Sequence, residues 1–220
     1  FSFQSPLLYC GMPPIVSVSN NMLTAIPWDL FRYMSRLQVL DVSNNVNISF
    51  PLGLLENQIS LSTLNISNSG LATLEQRLFA NCTKLETLNV SKNGLQTIDP
   101  NVFENLTSLK TLDLSWNKLV DLPRRLFSTL DNLEHIFLQH NRLTVFQSDL
   151  FKGLPTLKII NLGYNKVETT AKPTGRFKVD ELVLKNNKLK EFPEFLVYQV
   201  PVKRVDLSQN ELVSINLVSN

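Results

Sequence analysis

The sequence is poor in the residue types that enzymes use for metal, thiol or phosphate chemistry. Its 220 residues include two cysteines, two histidines and seven glycines. It contains no H-E-x-x-H, no C-x-x-C and no glycine-rich phosphate-binding motif. We therefore expect a protein that is not an enzyme and that needs neither a cofactor nor a metal ion.

Long apolar runs and a strong net charge are also missing. No run of 18 apolar residues and no N-terminal signal pattern occur, and the formal net charge is +2. The sequence thus predicts no membrane-spanning helix, and we expect mature or trimmed protein. Because so small a charge does not favour nucleic acid, we expect a protein ligand or co-receptor and no nucleic acid.

What the sequence does contain is a repeat. Residues 109–117, LKTLDLSWN, have the form L-x-x-L-x-L-x-x-N, and this phrase returns at intervals of 24 residues and, late in the chain, of 22 and 23. Such a fixed period indicates a solenoid of stacked repeats. Position 1 of the nine copies is occupied by Pro13, Leu37, Leu61, Leu85, Leu109, Leu133, Leu157, Val179 and Val202.

Within each copy, apolar positions 4 and 6 alternate with the more polar positions 3, 5 and 7. This alternation predicts a short strand with one buried face and one open face. Strands that recur in the same sense pair in parallel, and the intervening segments must return on the far side. We predict an α/β solenoid, a right-handed horseshoe with a curved parallel β-sheet on its concave side and loops or short helical turns on its convex side.

Position 9 is an asparagine in eight of the nine copies. The chain turns inward there, and a side-chain amide can both donate to and accept from the buried backbone groups. The third copy has Ser69 instead, and we expect a local loosening at that point. The eight asparagines are Asn21, Asn45, Asn93, Asn117, Asn141, Asn165, Asn187 and Asn210.

The return segments narrow the class of repeat. Residues 119–132, LVDLPRRLFSTLDN, and 143–156, LTVFQSDLFKGLPT, are similar to the pattern L-x-x-L-P-x-x-x-F-x-x-L-x-x, from which the second departs at Phe146 and Gln147. Over residues 13–215 the chain resembles the 24-residue "typical" class of extracellular leucine-rich repeats. The resemblance implies a secreted protein or the ectodomain of a membrane receptor. One return position should form a phenylalanine spine: Phe31, Phe79, Phe103, Phe127 and Phe151.

Two further resemblances point to immunity. Residues 54–67, LLENQISLSTLNIS, are similar to stretches of Toll-type receptor ectodomains, and the shortened later copies are similar to insect secreted immune repeat proteins. They imply innate immunity or receptor signalling. A structural matrix or cell-adhesion protein is the alternative.

We expect residues 1–220 to form a single leucine-rich repeat domain. Residues 1–12 read as a partial repeat, nine repeats start at residue 13, and the last one is truncated. Because solenoids need covered ends, this predicts a fragment of a longer protein or an assembly. The concave face and the uncapped ends are the surfaces through which a homo- or hetero-oligomer would form.

The two cysteines should not pair with each other. Cys10 and Cys82 both fall at position 22, three copies apart, which is about 14 Å at the usual strand spacing. A disulfide needs Cα atoms within about 7 Å. We predict that Cys82 is a small core residue, whereas a partner of Cys10 could lie before Phe1.

The sequence also contains five N-x-S/T sequons, all in its first half, and together they favour secretion. Asn65 and Asn89 fall at position 5, in the middle of the predicted open strand face, so glycans there would cover the concave surface of the third and fourth copies. The predicted glycosylation sites are Asn47, Asn65, Asn81, Asn89 and Asn105.

The second half of the concave face carries the predicted ligand site. Rings occupy position 8 in three consecutive copies, where most other copies have asparagine or glutamine, and cations occupy position 10 beside them. Aromatic residues and arginine concentrate binding energy at interfaces. The predicted ligand-binding residues are Trp116, Lys118, His135, Phe137, His140, Arg142, Tyr164 and Lys166.

Plainer interpretations exist for several of these features. The position 8 rings could stack on one another with no partner. Asp113, His135 and His140 are neighbours that could be imagined as a base or metal pair, but they have no nucleophile and no enclosed pocket. Trp28, outside the strands, should serve packing, and residues 172–175, KPTG, should mark a local change of curvature in the irregular seventh copy.

Overall fold

Each copy contributes one short strand, and the nine strands pair in parallel in one sheet. The computed structural model describes residues 13–51, 53–198 and 200–215. Every neighbouring pair has its equivalent repeat positions in register, which confirms the predicted leucine-rich repeat solenoid. The strands are β1 (Ile15–Ser17), β2 (Val39–Asp41), β3 (Thr63–Asn65), β4 (Thr87–Asn89), β5 (Thr111–Asp113), β6 (His135–Phe137), β8 (Ile159–Asn161), β10 (Val179–Val183) and β11 (Val202–Asp206).

The strands are short because the chain turns away soon after position 5. From β2 to β6 and in β8, each strand has three residues, of which the middle one is buried and the flanking two are half-buried. Leu109, Leu112 and Leu114 are fully buried. The prediction that positions 1, 4 and 6 form the core is therefore confirmed for the inner copies.

The return side has a second row of backbone pairing that the sequence did not suggest. Strands β7 (Val145–Gln147) and β9 (Thr169–Ala171) form a parallel pair, and isolated bridges join Ala25 to Ser49 and Glu191 to Ser214. Each of these pairings starts at position 13 of its repeat. A 3-10 turn at Ser148–Phe151 and a short helix α1 (Phe195–Tyr198) complete this side, in agreement with the expected loops and short helical turns.

The predicted phenylalanine spine is buried and continues past the irregular seventh copy. Neighbouring spine rings lie 6.2 Å apart at Phe79–Phe103 and 5.9 Å apart at Phe127–Phe151. Where the seventh copy lacks its own spine residue, Phe177 contacts Phe151 at 5.9 Å. The core thus stays filled although the phenylalanine motif is missing.

The loop of the seventh copy is fastened to the copy before it. The backbone N–H and the hydroxyl of Thr174 donate to the two carboxylate oxygens of Asp149 at 2.7 and 3.0 Å. The aliphatic stem of Lys152 lies across Gly175, where a Cβ would come within 2.3 Å of the lysine Cε. These contacts explain why the segment 172–175 carries threonine and glycine.

The asparagine ladder at position 9 forms as predicted. Asn117 accepts a hydrogen bond from the N–H of Leu95 in the preceding copy at 3.1 Å. Its amide donates to the carbonyl groups of Val90 and Leu114, each at 3.1 Å. One side chain thus satisfies buried groups of two copies, which fixes the stacking distance between them.

The loosening expected at Ser69 does not occur. Ser69 is fully buried, and its N–H donates to Asn93 at 3.0 Å. The next residue, Gly70, has φ +74°, and a Cβ there would lie 2.2 Å from the carbonyl oxygen of Val46. The expectation is wrong because the small serine and the glycine allow the turn to lie closer to the second copy.

The core position predicted for Cys82 is confirmed, whereas the packing role predicted for Trp28 is not. Cys82 is a free thiol buried in the core, where burial raises its pKa to about 12; Cys10 lies outside the described residues. The packing role predicted for Trp28 is wrong, because its side chain is 55% exposed and the Arg32 guanidinium lies 5.7 Å above its ring.

Candidate ligand-binding edge of the sheet

The position 8 residues lie in the turn beyond the strands, at the edge of the sheet where the strands end. All nine have a positive φ of 50–58°. The sequence analysis assigned these residues to the concave face, and the structure places them just beyond the strands, because every strand of the sheet ends before position 8. Asparagine tolerates the left-handed conformation, whereas bulky side chains rarely adopt it.

Three rings of this turn form a continuous stack, which we call the aromatic column (Trp116, His140 and Tyr164). The Trp116 and His140 rings are 3.7 Å apart with planes at 15°, and the His140 and Tyr164 rings are 4.5 Å apart with planes at 10°. Trp116 is 51% and Tyr164 42% exposed. The outer two rings therefore present a large surface to solvent, while His140 is held between them.

The central imidazole is held in its neutral form. Its neighbours remove it from water, and this loss of hydration lowers the pKa of His140. Because the charged form is the one disfavoured, His140 is neutral at pH 7. The aromatic column thus presents three uncharged rings.

The same position carries amide side chains elsewhere in the solenoid. The Asn44 amide donates to Asn20 at 3.1 Å, and Asn68 donates to Asn44 at 2.8 Å. Asn186 donates to Gln209 at 3.2 Å near the other end. Contact between neighbouring copies therefore also occurs at position 8 outside the three ring-bearing copies.

Stacking by itself gives the rings no clear advantage over asparagine. Each stacked pair contributes about 0.5–1.5 kcal/mol, whereas the left-handed conformation costs about 1–2 kcal/mol for each residue with an ordinary side chain. The two effects are of similar size and opposite sign. The self-stacking interpretation is therefore correct in geometry, but it does not explain why rings replace asparagine here.

Beside the rings lies the cation column (Lys118, Arg142 and Lys166). The backbone N–H groups of these residues donate to carbonyl groups of the preceding copy at 2.8–2.9 Å, which fixes where the side chains start. All three side chains are exposed, and among the described residues none forms an ion pair. In the next copy the position 10 residue, Lys188, lies 3.8 Å from Glu168. The unpaired cations of position 10 therefore belong to the same three copies as the rings.

His135 and Phe137 lie apart from the aromatic column, on the open face of β6. Their rings are 6.4 Å apart with planes at 4°, and both side chains are half-buried. Within residues 13–51, 53–198 and 200–215, no ring contact joins this pair to the aromatic column. The predicted site therefore has two parts, one on the strand face and one at the edge.

Position 5 has a structural role that sequence reasoning missed. The Asp113 carboxylate accepts a hydrogen bond from the Ser115 N–H at 2.9 Å, and Asn65, Asn89 and other position 5 residues accept in the same way. An Asp or Asn followed two residues later by serine is the signal that could have revealed this turn. The side chain of Phe137 has no acceptor, so the sixth copy has an aromatic ring at position 5 in place of this hydrogen bond.

All five predicted glycosylation sites lie among the described residues. The side chains of Asn47, Asn81 and Asn105 are exposed, whereas Asn65 and Asn89 are half-buried. The Asn81 amide donates to the Glu56 carbonyl at 2.6 Å. Their glycosylation stays a prediction.

The grooves of the protein lie elsewhere. One open groove of about 770 Å³ is lined by residues 153–155, 173–178 and Pro201, and another of about 830 Å³ by residues between 168 and 195 with Val213 and Ser214. None of the candidate ligand-binding residues lines either of them. The candidate site is thus an open surface, which suits a macromolecule better than a small molecule.

Several solved structures have a similar fold. The chain superimposes on TLR13 in its complex with ssRNA13 with a TM-score of 0.77 at 23% identity, covering 84% of this chain and 26% of that one. For the leucine-rich repeat domain of APL1B the values are 0.74, 25%, 92% and 58%. For the glycosylated form of the Drosophila Toll–Spatzle complex they are 0.69, 25%, 94% and 32%. This chain therefore spans between 26% and 58% of the length of these relatives.

These comparisons correct one expectation about partners. A chain of the same fold, TLR13, is in complex with ssRNA13, so the fold itself does not exclude a nucleic-acid ligand. The small net charge of this chain does not exclude one either, because binding depends on the local charge of a surface and not on the total. The prediction from net charge that nucleic acid is excluded as a ligand was therefore wrong.

The described residues contain no helix long and apolar enough to span a bilayer, and among them no three His, Cys, Asp or Glu side chains are grouped so that they could hold a metal ion. No curated protein sequence matches the chain. The leucine-rich repeat family model matches residues 59–119 and 110–167, and together with the repeat pattern and the solenoid this shows that the chain belongs to the leucine-rich repeat family.

Proposed function

We propose that this chain is an extracellular recognition module of immune or receptor signalling, which binds a protein ligand through the second half of its sheet. The site comprises the aromatic column, the cation column and the His135–Phe137 pair. The observation that carries the proposal is the presence of three bulky rings, one after another, in a left-handed turn that asparagine, lysine or glutamine occupies in the other copies.

Two independent features support this function. Exposed aromatic side chains next to arginine are the usual anchors of interfaces. The solved relatives include a complex of LRIM1 with APL1C and one of Toll with Spatzle, so protein partners are common to proteins of this shape.

The test replaces rings by the residue that the solenoid itself uses at position 8. The variant Trp116→Asn/Tyr164→Asn should fold normally and should lose the partner that the unchanged chain captures from extracellular fluid of its source organism. The control is Arg124→Ala, which removes an exposed cation on the return side of the fifth copy. Retained capture by the double variant, with loss by the control, would place the binding surface on the convex side.

A further inference from the structure

The two edges of the sheet, one where the strands begin and one where they end, differ in whether their charged side chains form ion pairs. At position 2, where strands begin, charges of opposite sign alternate from the fourth copy to the ninth and form ion pairs between neighbouring copies. Lys110 lies 2.9 Å from Glu86 and Lys158 lies 2.7 Å from Glu134. The hydrogen bond from Lys158 lowers the pKa of Glu134. The third pair is Asp180 with Lys203, at 2.9 Å.

At the opposite edge the cation column has no such partners. Lys118, Arg142 and Lys166 are exposed in three consecutive copies, and no carboxylate of the described residues lies within ion-pair distance. The fold pairs lysines across neighbouring copies at one edge and leaves them unpaired at the other. This edge therefore carries a local positive potential despite the small net charge of the chain.

The stacking of the aromatic column decides which parts of its rings a ligand can reach. The inner faces of Trp116 and Tyr164 are covered by His140 at 3.7 and 4.5 Å, so solvent reaches mainly their edges and outer faces. Ring edges are the electropositive part of an aromatic side chain. A nucleobase could stack only on the outer faces at the two ends of the column, whereas carboxylate oxygens can approach the ring edges and the cations in all three copies.

We infer that the ligand of this edge is a carboxylate-rich segment of a protein that crosses the fifth, sixth and seventh copies. The inference rests on the proposed function and specifies the partner's chemistry. Neighbouring copies are about 4.8 Å apart, and side chains four residues apart on a helix are about 5–6 Å apart. One carboxylate per turn of an acidic helix therefore matches one cation per copy, with apolar side chains of the helix resting on the rings.

The experiment uses a labelled helical peptide with glutamates at i, i+4 and i+8 and leucines beside them, and measures its affinity for the whole chain by fluorescence anisotropy at low and at physiological salt. The unchanged chain should bind the peptide and lose affinity as salt rises. The variant Lys118→Gln/Arg142→Gln/Lys166→Gln should bind it about tenfold more weakly and with less dependence on salt.

A matched control removes the same charge from the opposite edge. The variant Lys110→Gln/Lys158→Gln/Lys203→Gln alters exposed lysines that already have partners, so it should keep the affinity of the unchanged chain. Equal losses in the two triple variants would overturn the inference, because they would show a response to total charge only.

A second probe separates protein from RNA. A single-stranded oligouridylate should bind more weakly than the acidic peptide and should be indifferent to loss of the rings. If the oligouridylate binds more tightly, and Trp116→Asn weakens it, the acidic segment is the wrong ligand. If neither probe binds while the ring variants still lose their natural partner, the inference fails and the proposed function stands.

Discussion

The indole ring of Trp116 lies 3.7 Å from the imidazole ring of His140, and their planes are 15° apart. Tyr164 covers the other face of the same imidazole. The protonation state of His140 therefore depends on two neighbours that are themselves exposed, which makes the histidine a reporter of the state of the aromatic column.

The pKa of His140 should rise when its neighbour is removed. Loss of hydration between the rings lowers the pKa in the folded chain, and Trp116→Asn would return water to one face. A proton NMR titration of the two histidines should therefore show the His140 pKa below the ordinary value of about 6.5 in the unchanged chain and closer to it in the variant. An unchanged His140 pKa would mean that the stack does not exist in solution.

The same shift makes stability depend on pH. Since the folded pKa is lowered, the unfolded chain binds more protons than the folded chain between the folded pKa and about 6.5. The contribution of neutral His140 is complete above that range and is lost as the pH falls through it. Denaturant unfolding of the unchanged chain and of His140→Asn should give a difference in unfolding free energy that varies with pH only within this range.

Leu112→Ala should destabilise the solenoid strongly. Leu112 is fully buried at position 4 of the central strand β5, and removing it leaves a cavity between copies, so we expect a loss of about 2–5 kcal/mol in unfolding free energy. Denaturant titration followed by circular dichroism measures this loss. A loss below about 1 kcal/mol would contradict the burial of the strand.

Gly70→Ala tests the close approach of the second and third copies. A Cβ at this position would meet the Val46 carbonyl oxygen at 2.2 Å. Gly153→Ala is the matched control, since Gly153 has a similar φ of +83° and no atom within 4 Å of its Cβ position. The control should lose about 1–2 kcal/mol from its backbone conformation alone, and Gly70→Ala should lose clearly more. Equal losses would show that the two copies are not in contact there.

Glycans at Asn65 and Asn89 can be tested without disturbing the turn. Each asparagine side chain accepts a hydrogen bond from the N–H of the serine two residues later, at 3.1 and 2.9 Å. Exchanging the asparagine would therefore remove both the glycan and this hydrogen bond. Ser67→Ala or Ser91→Ala removes the sequon and keeps that bond. Expressed in a eukaryotic secretory pathway, each variant should lose the mass of one glycan relative to the unchanged chain, as measured by intact-mass spectrometry. If the variants differ in mass from the unchanged chain only by the exchange of serine for alanine, neither site is used.

The repeat pattern predicted the features that recur in every copy. It did not predict side-chain positions that depend on a local backbone conformation. The burial of Leu112 and the double role of Asn117 follow from periodicity and from the hydrogen-bonding capacity of an amide. The left-handed turn at Trp116 and the bond made by Asp113 depend on backbone angles that the pattern of apolar residues does not report. The close approach at Gly70 depends on the neighbouring copy, which no single repeat describes.

The shared backbone at position 8 also bears on how such a surface can change over evolutionary time. Because every copy holds this residue with nearly the same φ, one side chain can be exchanged without moving the next copy. Asn68 and Trp116 are thus different side chains on the same backbone conformation. A lineage could alter the partner preference of the edge one copy at a time, and the scaffold would retain its stacking through the buried asparagines of position 9.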